Sequence, residues 1–79
     1  MQYQTKGVCS RLINYEIVDN KLTNVSFIGG CAGNLKGISC LVEGMTPEEV
    51  ISKLSGITCG YKSTSCPDQL ALALKNYTE

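Results

Sequence analysis

The sequence predicts an α+β fold, a small antiparallel sheet of two to three strands packed against about three helices. Three observations lead there. Between Arg11 and Ile28 apolar and polar residues alternate on either side of a turn. A glycine-rich break then ends the alternation. Beyond it, apolar residues recur at helical spacing.

In the strand from Arg11 to Val18, Ile13, Tyr15 and Ile17 share one face, with Asn14 and Glu16 on the other. Asp19-Asn20-Lys21 forms the turn, since Asp and Asn tolerate the left-handed region. Leu22 to Ile28 alternates again, with Val25 and Phe27 on its core side, so the two runs make an antiparallel hairpin. A short strand around Tyr3 to Thr5 pairs at one edge. Gly29, Gly30 and Gly33 fall within five residues and let the chain turn sharply around Cys31.

A first helix runs from about Leu35 to Glu43, presenting Leu35, Ile38 and Val42 with Leu41 beside them, and Gly44 stops it. Thr46-Pro47-Glu48-Glu49 starts a second: Thr46 as N-cap, Pro47 at the first position, Glu49 closing a capping box. It buries Val50, Ile51 and Leu54 and ends at Gly56. The third begins at Ser65-Cys66-Pro67-Asp68, and Leu70, Ala73, Leu74 and Tyr77 make its apolar stripe.

At 79 residues the chain makes one domain, 1–79. A domain this small buries only about 60% of its unfolded surface and usually needs disulfides, a metal or oligomerisation for stability. Seven basic and seven acidic residues are spread along the chain. That balance leaves no basic stripe for nucleic acid and no anchor for a membrane surface. Met1 to Lys6 has no apolar core, so no signal peptide is expected, and a cytoplasmic location follows, where thiols stay reduced. Five cysteines in such a compartment favour metal or redox chemistry over a disulfide frame. The absence of histidine excludes imidazole-based triads, acid/base pairs and zinc–imidazole sites.

Four of the five cysteines, Cys9, Cys31, Cys59 and Cys66, stand at the ends of elements, where distant parts of a fold can meet. Cys9 precedes a strand, Cys31 sits in the glycine turn, Cys59 precedes Gly60, and Cys66 opens the last helix. Helix N-termini favour the thiolate, the form that both metal binding and nucleophilic attack require. Cys40 falls inside the first helix, about 160° from the centre of its apolar face, and is not a candidate. No Cys-x-x-Cys knuckle exists, which argues against a zinc ribbon or a thioredoxin-type motif. The competing reading of each cysteine is a small buried hydrophobe. Gly29-Gly30-x-x-Gly33 matches neither dinucleotide nor phosphate-loop patterns. Lys62, Ser63, Thr64 and Ser65 could ring an anion near Cys66, but capping and loop roles fit them better. Glu16, Glu48, Glu49 and Asp68 read as caps or surface groups.

Thr64-Ser65-Cys66-Pro67-Asp68 spells the signature of the TSCPD-domain family. Phe27-Ile28-Gly29-Gly30-Cys31-Ala32-Gly33-Asn34, Leu41-Val42-Glu43-Gly44-Met45, Cys59-Gly60 and Asp68-Gln69-Leu70-Ala71 carry the resemblance over essentially the whole chain. That family includes short stand-alone proteins of this size and the C-terminal appendage of adenosylcobalamin-dependent ribonucleotide reductases. The resemblance therefore implies a ribonucleotide reductase as relative or partner. Catalysis of that reaction by 79 residues alone is implausible, because they cannot hold its barrel, cofactor and substrate sites.

The order of features also resembles the NifU-like iron–sulfur cluster scaffold proteins, with Cys9, Cys31 and Cys66 at the places of the three scaffold thiolates. Those scaffolds bind zinc or assemble a cluster, helped by an Asp shortly after the first cysteine. Here Ser10 and Arg11 follow Cys9, the chaperone-recognition loop is missing, and Cys59 is an extra thiol. The differences favour a closed four-thiolate zinc site. An iron–sulfur cluster on Cys9, Cys31 and Cys66, a redox relay through Cys59 and Cys66, and a partner-docking domain are the alternatives.

Overall fold

The computed structural model describes residues 1–8, 10–30, 32–58 and 60–78, without the side chains of Ala32 and Thr78. Its elements are β1 (Gln2–Gln4), β2 (Ser10–Val18), β3 (Lys21–Gly29), α1 (Ala32–Val42), α2 (Pro47–Leu54) and α3 (Cys66–Thr78). The strands form one antiparallel sheet in the order β1-β2-β3, and the expected α+β class holds. β2 and β3 join through Asp19 and Asn20, both at positive φ (52° and 62°), the geometry of a two-residue type I′ hairpin turn.

The sheet departs from plain alternation in two places. Asn14 pairs with Ser26 but Glu16 pairs with Thr23, so β3 spends one more residue than β2 across that interval. The extra residue is Asn24, at φ 54°, which makes a β-bulge. Period two from Val25 and Phe27 would turn Leu22 outward. The bulge returns Leu22 to the core face, where it is fully buried. The second irregularity lies between Ser10 and Leu12, which pair with Gly29 and Ile28, leaving Arg11 as the extra residue of β2. Strict alternation would set Ser10 beside Leu12 and Asn14 on the outer face. With Arg11 inserted, Ser10 faces inward and is 2% exposed.

All three helices pack on the face carrying Ile13, Tyr15, Leu22 and Val25, and they contribute Val42, Val50, Leu70, Ala73 and Leu74 to one core. α1 starts at Ala32 rather than near Leu35. Gly29 and Gly30, at φ 85° and 79°, complete the reversal early, and Gly33 is tolerated inside the helix. Gly44, at φ 83°, terminates the helix as expected. Its N–H donates to the Leu22 carbonyl (2.7 Å), and the Leu22 N–H donates to Met45 (2.7 Å), tying the stop to β3. Thr46 and Glu49 form the expected capping box of α2.

Two apolar assignments are corrected. Leu41 is exposed because it lies about 90° from the centre of the Leu35–Ile38–Val42 stripe, and α1 packs against the sheet along that stripe. Tyr77 is half exposed because it occupies the final turn of α3, at the margin of the core. The first turns of α3 are covered more fully than a stripe requires: Asp68, Gln69, Leu70 and Ala71 are all buried.

Asn24→Val, forced into the left-handed region, should lower stability to urea by about 1–2 kcal/mol, while Asn24→Gly stays within about 0.5 kcal/mol of the parent. Equal losses from both would exclude a backbone cause. The pKa of Glu49 is lowered by hydrogen bonds from the Thr46 backbone N–H and hydroxyl. A lowered folded pKa contributes stability above the unfolded value and loses it as pH falls through the folded one. Thr46→Ala should therefore shrink the acid-side fall in stability, measured by unfolding between neutral pH and the lower end of the glutamate range.

Candidate functional site

Cys66 is the first residue of α3 and is half-buried. The residues of the Thr-Ser-Cys-Pro-Asp run each have a local reason to be there. Ser65 caps the helix: the Asp68 N–H donates to its Oγ at 3.2 Å, and that hydroxyl donates to the Ile57 carbonyl at 2.6 Å. Pro67 has no N–H to satisfy in the first turn. The Asp68 carboxylate accepts from the Gly56 N–H (2.7 Å) and from the Thr64 hydroxyl (2.5 Å). It is a buried tie between the end of α2 and the start of α3, where the sequence suggests a cap or a surface group. Gln69 extends the network, donating to Thr64 Oγ1 (3.0 Å) and accepting from the Lys6 N–H (3.2 Å). Thr64 and Ser65 are thus committed to internal partners, and the ring of anion donors is not formed by them.

Toward the sheet, the Ser10 hydroxyl donates to Cys66 Sγ at 3.0 Å. The Ser10 carbonyl in turn accepts from the Thr5 hydroxyl. Sequence reading passed over Ser10, because nothing in its neighbourhood signals the bulge that turns it inward.

Cys9, Cys31 and Cys59 lie outside the described residues. Among the described positions beside them, one meets Cys66 directly. Ser10, next in sequence to Cys9, touches its sulfur; Gly29, two before Cys31, is the β-partner of Ser10. Ile57, two before Cys59, is bonded to Ser65. Among the described residues no three Cys, Asp or Glu side chains stand close enough to hold a metal. Three of the four predicted ligands fall outside that set. Cys40 is exposed, as its helical position predicts. It borders a separate cleft of about 470 Å³ between α1 and β3, lined also by Asn24, Ser26, Lys36, Ser39 and Glu43. Among the described residues no helix is long and apolar enough to cross a membrane.

The sequence model of the TSCPD domain matches residues 1–78, and the chain belongs to that family. Neither the curated proteins nor the solved structures give a significant match. The likeness to NifU-like scaffolds therefore gains no support from them.

Removing a partner from this network leaves a buried donor or acceptor unsatisfied, which costs about 1–3 kcal/mol. Asp68→Ala should destabilise by about 2–3 kcal/mol and Ser65→Ala by about 1–2 kcal/mol in chemical denaturation. The double variant should lose less than their sum, since the two side chains serve one network. Full additivity would mean that they act separately.

Proposed function

We propose that this TSCPD-domain chain is a small metal-binding module of the cytoplasm, holding zinc on the thiolates of Cys9, Cys31, Cys59 and Cys66. The observation that carries the reading is the hydrogen bond from Ser10, the residue after Cys9, to Cys66 Sγ. The donor set fits the metal: thiolates suit zinc, and a hydroxyl that donates to the sulfur is the kind of outer partner that thiolate ligands keep.

Zinc bound by four thiolates would supply a cross-link, with no coordination position left open for chemistry. In finger peptides such sites contribute about 10–16 kcal/mol of apparent binding energy, much of it realised as folding energy. For a chain of 79 residues that addition meets the shortage of core. The residues' own work is mechanical: Ser65 and Asp68 fix the start of α3, and Ser10 orients the sulfur. On this reading the domain serves as an accessory to a larger enzyme, and family membership makes a ribonucleotide reductase the partner to test. An iron–sulfur cluster on Cys9, Cys31 and Cys66 is the second reading, favoured by the same Ser10 bond, because hydrogen bonds to sulfur tune cluster potentials.

Protein purified without oxygen should carry about one zinc per chain by elemental analysis, following from a four-ligand site. Cys66→Ser should weaken zinc binding by more than about 100-fold, beyond the loss typical of outer-shell changes, and lower the thermal midpoint with it. Cys40→Ser should alter neither. A folded, metal-free protein that takes up no zinc would end the zinc reading. Visible absorbance after anaerobic reconstitution with iron and sulfide would favour the cluster.

A further inference from the structure

We infer that the open edge of β3, beside α1, docks an extended segment of a partner protein as a fourth strand. The segment runs antiparallel to β3, acidic toward its N-terminal end, small in the middle and basic toward its C-terminal end. The proposal stands apart from the cysteine site and needs no metal.

β3 is the end strand of the sheet and is bonded to β2 on one side. On its other side the chain itself covers the first residues. The Leu22 N–H donates to the Met45 carbonyl, and the Leu22 carbonyl accepts from the Gly44 N–H, both at 2.7 Å. The Asn24 N–H donates to the Glu43 carboxylate at 3.1 Å. Over residues 25–29 this covering stops, and among the described residues no further bond is made on that side. An antiparallel strand turns alternate N–H and C=O groups away from its neighbour, so the stretch offers ladder positions to an incoming backbone. Native edges are commonly blunted by charge or proline, but residues 22–35 contain neither.

The cleft beside that edge selects the side chains. α1 leaves the Gly29-Gly30 reversal and ends beside Leu22 and Asn24, so it runs back along β3. Lys36, Ser39, Cys40 and Glu43 fall at i, i+3, i+4 and i+7, on one face of α1. With the uncovered part of β3 they line the cleft of about 470 Å³. Lys36 is placed toward the Gly30 end and Glu43 at the Asn24 end, about 10 Å apart along the helix. Four residues of strand cover about 13 Å and return to the same face. An acidic residue and a basic one at i and i+4 of the segment therefore come within reach of Lys36 and Glu43. The residue midway between them enters beside Ser39 and Cys40, where a small one fits.

A second copy of this chain is a poorer occupant. α1 packs against β3, so pairing β3 with itself would set two α1 helices over adjacent strands. Adjacent strands lie about 4.8 Å apart, whereas packed helices keep about 8–10 Å between axes. A bare strand brings no such helix.

The probe is the peptide acetyl-Glu-Val-Ser-Val-Lys-amide, titrated into the isotopically labelled full chain and followed by NMR. Amide shifts should concentrate in residues 25–29 and on the Lys36–Glu43 face of α1. The same peptide with its two charges exchanged should bind about 3–10-fold more weakly, as expected for pairs across a strand or at a surface. Lys36→Glu, a change at an exposed position, should abolish that preference. Methylating the backbone nitrogen of the first valine or of the serine should have unequal effects. One of the two should cost at least about tenfold in affinity and the other little, because alternate N–H groups meet β3. No shift with either peptide at millimolar concentration, equal binding of the two charge orders, or equal effects of the two methylations would overturn the proposal. So would sedimentation of the chain as a dimer with residues 25–29 protected from amide exchange, which would assign the edge to a second copy.

Discussion

Burying the first turn of α3 takes helix N–H groups and a carboxylate away from water, and the surrounding loops must supply their partners. Ser65 meets the Asp68 N–H, Pro67 removes one donor altogether, and Asp68 returns the favour to Gly56 and Thr64. Gln69 reaches the Lys6 backbone ahead of β2. Through these bonds one helical turn collects the end of α2, the loop before α3 and the segment between β1 and β2. A change in any of them is felt by the others, since Ser65, Asp68 and Gln69 are buried and each has a specific partner.

The same arrangement explains why one cysteine stands out from the signature around it. Threonine, serine and aspartate are consumed in holding the helix start, and proline is there for its missing donor. Cys66 is the member whose side chain is left for something else, and it points to the sheet, where Ser10 meets it. The side chains that hold the helix start and the thiol are therefore separate parts of one short run. Cys66 is thereby positioned by bonds that its own side chain does not make.

Much of this was legible beforehand. Three strands, a turn at Asp19-Asn20, and helices beginning at Thr46-Pro47 and Ser65-Cys66-Pro67 follow from periodicity and caps. These are local effects, decided within a few residues. Leu22 and Ser10 were misread or passed over because each depends on a bulge, and a single inserted residue inverts every side chain beyond it. Asn24 offers a weak signal, being a residue that tolerates positive φ, whereas Arg11 offers none. Leu41 and Tyr77 belong to apolar patterns but lie at the edge or end of the packed surface.

By itself, then, the sequence determined the class of fold, the family, and Cys66 as a thiol at a helix start. Tertiary structure decided what surrounds that thiol: a buried Asp68 bonded to Gly56 and Thr64, and Ser10 turned inward from an outer face. The division has a physical cause. Caps, turns and periodicity act over one or two turns of chain, while burial and strand register depend on segments far apart in sequence. Cys66 and Ser10 are separated by 56 positions, and the packing of α3 on the sheet brings them together.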